Sequence, residues 1–241
     1  MAIAARTLLS LRQYRRSSSI SRLPYFPQTA HPEVVDIDNP LARSAAVAGG
    51  KGSNTFILRE LGKTLDNLTI PTAIVTIFTY ENFISGNLAI KNNIEQLDEI
   101  TEKEKRRELS AAIRKQILNV ELSASLKRSV IRQFKRLGGD IAVRSSADIE
   151  DGEKLAFAGH GETFLHQIRE DQVIIAVKKV WASLYSDDSV DYCINNGISL
   201  KNIRMAVVLQ KMVDAKVAGV AFSFDVAGKR PAYRISCNFG L

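Results

Sequence analysis

The residues best suited to chemistry lie between Asp140 and Leu165, where a short apolar strand ends in Arg144, Ser145 and Ser146. A planar guanidinium presents forked donors that match the oxygens of a phosphate. An arginine and two hydroxyls at a strand end therefore indicate a phosphate-binding site. A second interpretation is that Arg144 forms salt bridges with acids of the following loop. The candidate acids are Asp148, Glu150, Asp151 and Glu153.

A glycine-rich turn supplies the second candidate site. Glycines stand on both sides of Lys51 in the sequence Gly-Gly-Lys-Gly, and a helix is predicted to begin at Ser53. Glycines let the backbone approach a polyanion closely, and the N-terminus of a helix favours anions. The turn is not a Walker A loop, because Lys51 is followed by Gly52 rather than by Ser or Thr. A phosphate-binding lysine and a solvent-facing lysine in a flexible turn both remain open.

Gln210 interrupts a strongly apolar strand predicted over residues 205–213. A buried amide requires hydrogen-bond partners. The edge of an adenine offers both a donor and an acceptor, and neighbouring backbone groups are the alternative partners. A second strand is predicted over residues 218–225, and the short polar connection predicts that the two strands form a hairpin-like unit.

Helices and loops must position these groups. Helical periodicity covers residues 94–137 and 173–184, and Gly138 and Gly139 separate the first segment from the central strand. Residues 32–48 are predicted to be a loop, and a buried strand is predicted after Pro71. The two cysteines have no metal-ligand spacing, so two reduced thiols are expected.

The run from Val143 to Leu165, VRSSADIEDGEKLAFAGHGETFL, resembles a signature of the phosphoenolpyruvate synthases (pyruvate, water dikinases) and rifampin phosphotransferases. The glycine-rich turn, the strand after Pro71, the segment from Val177 to Ile198 and the strand around Gln210 resemble further motifs of that family in the same order. The resemblance covers residues 46–241. The chain is therefore similar to the N-terminal ATP-grasp nucleotide-binding domain of this family, in truncated form.

This resemblance implies an α+β fold of ATP-grasp type, with two lobes around a nucleotide cleft, incomplete at the C-terminus. It implies an ATP-binding domain that serves phosphoryl transfer toward a phosphohistidine carrier and then toward pyruvate or a small-molecule hydroxyl. An alternative is a catalytically inactive, truncated homologue that acts as a nucleotide-binding or scaffold module. Cys193, which replaces the arginine of the family pattern, is consistent with that alternative.

The resemblance also assigns site residues. Lys51 and Arg144 are expected to be catalytic and to hold the phosphates, and Gln210 is expected beside the base. The nucleotide-binding set is Lys51, Arg144, Gly159, Thr163 and Gln210. His160 replaces a family glutamine, and no carrier role is expected for it.

ATP and Mg²⁺ are the cofactors that the resemblance implies, and no metal ligand is assigned within residues 1–241. The metal-holding side chains are expected beyond the end of this chain, together with the phosphohistidine and substrate domains of a longer protein or a separate chain. Phosphoryl transfer depends on a divalent ion that offsets the polyphosphate charge.

The formal net charge of +7 comes largely from the N-terminus, because residues 1–32 contain five arginines and no acid. A nucleic-acid partner is therefore not expected of the domain. Residues 1–45 are predicted to be an N-terminal extension, either a transit peptide or disordered, followed by the ATP-binding domain over 46–241. The expected location is cytoplasmic, or mitochondrial if the extension is a transit peptide. No apolar run approaches the roughly 20 residues of a membrane helix.

Overall fold

The structure is a computed structural model that describes residues 31–63, 69–148, 161–222, 224 and 232–240. One compact unit ends at Lys211, and a second begins at Met212. No helix in the described part of the chain is long and apolar enough to cross a membrane. Residues 1–30 lie outside the described residues, so the transit peptide or disordered extension stays a prediction.

The first unit contains a five-stranded sheet with the strand order β1-β2-β5-β3-β4. Every neighbouring pair in this sheet is antiparallel. The strands are β1 (Val34–Asp36), β2 (Thr72–Val75), β3 (Ile141–Ala147), β4 (Thr163–Gln167) and β5 (Met205–Lys211).

Seven helices of this unit surround the sheet. They are α1 (Ala45–Lys63), α2 (Ile77–Ser85), α3 (Leu88–Leu97), α4 (Lys103–Asn119), α5 (Ala124–Arg136), α6 (Glu170–Ser183) and α7 (Asp187–Asn195), counted over the described residues. Two short 3₁₀ turns occupy Pro40–Arg43 and Leu200–Asn202. The predicted combination of helices with a sheet is confirmed, and the sheet is antiparallel.

The larger hydrophobic core lies between the sheet and α2–α7. Ile113 and Ile117 of α4 are fully buried there, as the helical period predicts, and so is Trp181 of α6. The indole of Trp181 donates a hydrogen bond to the carbonyl of Met205, at 3.2 Å, which ties α6 to β5. On the opposite face, α1 covers Ile74 and Ala206 with Phe56.

The prediction of a loop over residues 32–48 is wrong. β1 pairs with β2 at the edge of the sheet and buries Val35. The side chain of Asn39 accepts a hydrogen bond from the backbone N–H of Leu41 and begins the first 3₁₀ turn. α1 then starts at Ala45, eight residues before the predicted start at Ser53, and contains a break at Gly49. Its Phe56 is buried in the smaller core. The segment 32–48 shows no hydrophobic periodicity in the sequence. It is ordered because β1 pairs with β2 and because Asn39 caps the 3₁₀ turn.

The second unit contains a two-stranded antiparallel sheet of β6 (Val217–Phe222) and β7 (Arg234–Phe239). The predicted hairpin between the segments 205–213 and 218–225 is therefore wrong, because β5 pairs with β2 and β3 instead. The reason is burial. β5 is apolar on both faces, with Val207 and Leu209 toward the larger core and Ala206 toward α1, and such a strand belongs in the centre of a sheet.

Candidate functional site

Ser146 on β3 fastens the glycine-rich turn to the central sheet. Its hydroxyl donates a hydrogen bond to the carbonyl of Ala48, at 2.7 Å, and accepts one from the backbone N–H of Gly52, at 2.9 Å. Gly49 adopts φ +67°, and a Cβ on it would lie 2.0 Å from the carbonyl oxygen of Ser146. The turn can therefore approach β3 this closely only with glycine at position 49.

Lys51 follows this turn, and its side chain reaches the segment that leads into β4. Its Nζ atom lies 3.6 Å from the position that a Cβ on Gly161 would take. The same position lies 2.0 Å from the hydroxyl of Ser145, whose backbone N–H donates to the carbonyl of Glu162 at 3.0 Å. The structure thus brings the ammonium of Lys51 close to Ser145, the residue that follows Arg144 on β3.

The side chain of Arg144 contacts β5, which neighbours β3 on the side opposite β4. Its Nη1 atom donates a hydrogen bond to Oε1 of Gln210, at 3.0 Å. Nε2 of Gln210 in turn donates to the hydroxyl of Thr72, at 3.4 Å, and that hydroxyl donates to the carbonyl of Ile70, at 2.9 Å. Because side chains alternate along a strand, Arg144 and Ser146 share the sheet face that α1 covers.

The interpretation of Arg144 as a salt-bridge residue is wrong for Asp148. Asp148 pairs with Arg204, whose Nε atom donates to the carboxylate at 2.7 Å. Among the described residues, Arg144 has no carboxylate within ion-pair distance. The other candidate acids, at positions 150, 151 and 153, lie outside the described residues.

Thr163 opens β4 directly opposite Arg144 in the pairing of β3 with β4. Four of the five predicted nucleotide-binding residues therefore lie on, or are fastened to, three adjacent strands of one sheet. Gly159, the fifth, lies outside the described residues, as does His160, and the role of Gly159 stays a prediction. The described residues contain no group of three or more His, Cys, Asp or Glu side chains that could hold a metal ion.

Residues 45–241 match the family model described as the AMP/ATP-binding domain of pyruvate phosphate dikinase. The chain belongs to this family. The match confirms the resemblance that the motifs around Lys51, Arg144 and Gln210 carry. It also places the geometry of β3, β5 and the glycine-rich turn within an AMP/ATP-binding domain.

Curated relatives of this AMP/ATP-binding domain are much longer proteins. A rifampicin phosphotransferase of Bacillus cereus is 34% identical over 201 residues, which cover 81% of this chain and 23% of that protein. A probable phosphoenolpyruvate synthase of Methanothermobacter thermautotrophicus is 32% identical over 205 residues, 81% of this chain and 29% of that protein. A rifampicin phosphotransferase of Streptomyces sviceus is 30% identical, over 86% of this chain and 24% of that protein. The chain spans less than a third of the length of each.

Two residues of the AMP/ATP-binding domain that sequence reasoning missed are Thr72 and Gly161. Thr72 is fully buried and partners Gln210, whereas Gly161 leaves room beside Lys51 and Ser145. Thr72 is the first residue of the apolar strand β2, where threonine is common as a strand former, so its type alone carries no functional signal. Gly161 follows His160 in the quoted signature, but only the packing against Ser145 shows why it is glycine.

Cys193 is a structural residue in this domain. It is fully buried on α7, and burial, followed by the nearby charge of Asp98, raises the pKa of its thiol to about 12. A thiol with so high a pKa is protonated at neutral pH and is a poor nucleophile. Both cysteines are reduced, as expected.

Proposed function

We propose that this chain binds ATP, with the phosphates beside Lys51 and Arg144 and the base beside Gln210. The observation that carries the proposal is the double hydrogen bond of Ser146, which fastens the turn bearing Lys51 to the strand bearing Arg144. In this proposal the ammonium of Lys51 and the guanidinium of Arg144 both bind the phosphates of one ATP molecule. Membership of the AMP/ATP-binding domain family supports the choice of nucleotide.

The strand register supports an orientation for the nucleotide. Gln210 is paired with Ala142, and Ala142 precedes Ser146 by four residues on β3. At about 3.3 Å per residue, Ala142, which pairs with Gln210, and Ser146, which fastens the turn of Lys51, are about 13 Å apart along β3. Arg144 lies between them. An extended nucleotide with its base at Gln210 and its terminal phosphates at Lys51 fits this arrangement.

Each side chain has a chemical role in this proposal. The ammonium of Lys51 offsets phosphate charge, and the guanidinium of Arg144 donates to phosphate oxygens and stabilises charge that develops on the transferring group. Thr163 contributes its hydroxyl from the strand position opposite Arg144, and Gly159 contributes backbone as the family pattern implies. Gln210 accepts the hydrogen bond of Arg144 through Oε1, which orients the guanidinium, and the same amide contacts the base.

We further propose that the bound ATP donates a phosphoryl group to a phosphohistidine carrier, from which it reaches pyruvate or a small-molecule hydroxyl. The names of the relatives, rifampicin phosphotransferase and phosphoenolpyruvate synthase, support this reaction class. The carrier and the acceptor site are proposed to lie outside the matched segment, in a longer protein or a separate chain. The two-lobed ATP-grasp architecture around the nucleotide is part of the same proposal.

Mg²⁺ is proposed to accompany the nucleotide, because polyphosphate charge must be offset during transfer. The described residues contain no carboxylate cluster that fits a metal ion. The Mg²⁺ ligands are proposed to lie beyond residue 241, as the family resemblance implies, and the roles proposed for Lys51 and Arg144 include no step on the ion.

Calorimetric titration of the folded 241-residue chain with ATP tests the binding proposal. We expect saturable binding that weakens by about tenfold or more in Lys51→Ala and in Arg144→Ala, since each substitution removes a charged hydrogen-bond donor. Lys63→Ala, at the exposed end of α1, and Arg128→Ala, on the exposed face of α5, are matched controls that keep wild-type affinity. Folded wild-type chain that binds no ATP at millimolar concentration would reject the proposal.

Transfer of label from γ-labelled ATP to a separately supplied phosphohistidine domain tests the second step. Label on the carrier that disappears in Arg144→Ala supports the phosphotransferase. Binding of ATP without any transfer of label favours the non-catalytic, nucleotide-binding module instead.

A further inference from the structure

The hydrogen-bond chain from Thr72 through Gln210 to Arg144 leaves the amide of Gln210 only one orientation. A guanidinium donates hydrogen bonds and accepts none, so the atom of Gln210 that faces Nη1 of Arg144, at 3.0 Å, must be the carbonyl oxygen. The amide nitrogen then lies on the opposite side, toward Thr72.

Thr72 imposes the same orientation independently. Its hydroxyl has a single hydrogen, which it donates to the carbonyl of Ile70 at 2.9 Å. Toward Gln210 the hydroxyl can therefore only accept, and the group that faces it, at 3.4 Å, must be the NH₂ of the amide. Thr72 is fully buried, so water does not compete for this contact.

A side-chain amide has two hydrogens on nitrogen and two acceptor lone pairs on oxygen. The bonds to Arg144 and Thr72 use one of each. One acceptor position on Oε1 and one donor position on Nε2 remain for a ligand. Because the amide cannot flip, the acceptor stays on the side of Arg144 and the donor stays on the side of Thr72. An adenine edge presents an amine that donates beside a ring nitrogen that accepts, which matches this pair. Guanine presents a carbonyl oxygen where adenine has the amine, and that oxygen faces Oε1 without a hydrogen between them.

We propose that Thr72 is a positioning residue that, together with Arg144, holds the amide of Gln210 in one orientation and makes the site selective for adenine over guanine nucleotides. This inference rests on the proposed function, in which Gln210 contacts the base. Beyond the proposed function, the inference explains the preference for adenine over guanine. It also assigns a role to Thr72, which does not touch the nucleotide.

The test measures the dissociation constants of the 241-residue chain for ATP and for GTP. Wild type is expected to prefer ATP. Thr72→Val keeps the shape of the side chain and removes the hydroxyl, so we expect the preference for ATP over GTP to fall by about tenfold, the loss of one hydrogen bond to a buried group. Thr72→Ser restores the hydroxyl and is expected to restore the preference.

Thr76→Val is the matched control. Thr76 directly follows β2, is fully buried, and donates its hydroxyl to the carbonyl of Pro32 at 2.9 Å, with no bond to Gln210. A loss of stability alone changes the affinities for ATP and GTP together, whereas a loss of amide orientation changes their ratio. Thr76→Val is therefore expected to keep the wild-type ratio.

Gln210→Glu gives a second result that does not require Thr72→Val to fold. A carboxylate beside Arg144 only accepts hydrogen bonds, so the donor for adenine is lost and the preference for ATP is expected to disappear. An unchanged ratio in Thr72→Val, a preference for ATP that persists in Gln210→Glu, or a wild type that binds ATP and GTP equally would each overturn the inference. A wild type that binds neither nucleotide would reject the proposed function itself.

Discussion

Asp148 and Arg204 hold each other through both backbone and side chain. The carboxylate of Asp148 accepts hydrogen bonds from the Nε atom of Arg204, at 2.7 Å, and from its backbone N–H, at 3.1 Å. The backbone N–H of Asp148 donates to the carbonyl of Arg204 at 3.1 Å. Arg204 also contacts Glu81 of α2, at 3.1 Å. The pair therefore joins the end of β3 to the start of β5 and to a helix.

Asp148→Ala is expected to lower the free energy of unfolding without a direct effect on nucleotide affinity. The side chain of Asp148 is 11% exposed and that of Arg204 is 40% exposed, so solvent screens part of the interaction. A loss of about 1–3 kcal/mol is expected. Urea unfolding measures this change, with the exposed Asp214→Ala as a control that loses little. A weakened ATP affinity in folded Asp148→Ala would instead point to a role in the site.

Ser145 and Ser146 are expected to respond oppositely to replacement by alanine, although both are buried neighbours on β3. The hydroxyl of Ser146 has two partners in the glycine-rich turn, and its loss is expected to cost about 1–3 kcal/mol of unfolding free energy. The hydroxyl of Ser145 has no hydrogen-bond partner among the described residues. Ser145→Ala is therefore expected to be neutral or stabilising by up to about 1 kcal/mol. Thermal or urea unfolding of both variants decides, and equal losses would contradict the expectation.

Gly49→Ala tests the close approach of the glycine-rich turn to β3. The new Cβ meets the carbonyl of Ser146 at 2.0 Å and is strained by φ +67°, so we expect a loss of at least about 2 kcal/mol. Gly197→Ala is the matched control. Its φ is +66°, but nothing lies within 4 Å of the new Cβ, so only the backbone strain of about 1 kcal/mol remains. Urea unfolding measures the free energy of unfolding of both variants. Equal losses would show that the contact with Ser146 does not destabilise Gly49→Ala beyond the backbone strain.

The two cysteines are expected to differ in their reaction with a thiol reagent at neutral pH. Burial and the charge of Asp98 raise the pKa of Cys193 to about 12, whereas Cys237 is exposed on β7. One thiol is therefore expected to react with Ellman's reagent in the folded chain and two in denaturant. Cys237→Ser removes the fast-reacting thiol. Rapid reaction of Cys193 in folded Cys237→Ser would show that α7 opens readily.

Local patterns in the sequence determined most of the helical architecture. The period of Ile113 and Ile117 predicted the buried face of α4, and Gly138 and Gly139, with φ of +98° and +77°, end the helical segment before β3 as predicted. The same kind of pattern predicted Trp181 as a core residue. These features depend on residues within a few turns of one another, and such information is contained in short stretches of chain. The motif residues Lys51 and Arg144 were identifiable for the same reason.

Tertiary structure alone decided how distant segments pair. β5 pairs with β2 and β3 rather than with its neighbour in sequence, because both of its apolar faces are covered only in the centre of the sheet. The partners of Gln210 and Asp148, which are Thr72 and Arg204, lie far away along the chain and become neighbours only through that pairing. A hydrogen bond depends on where two groups meet in space, and the sequence by itself records only their types and order.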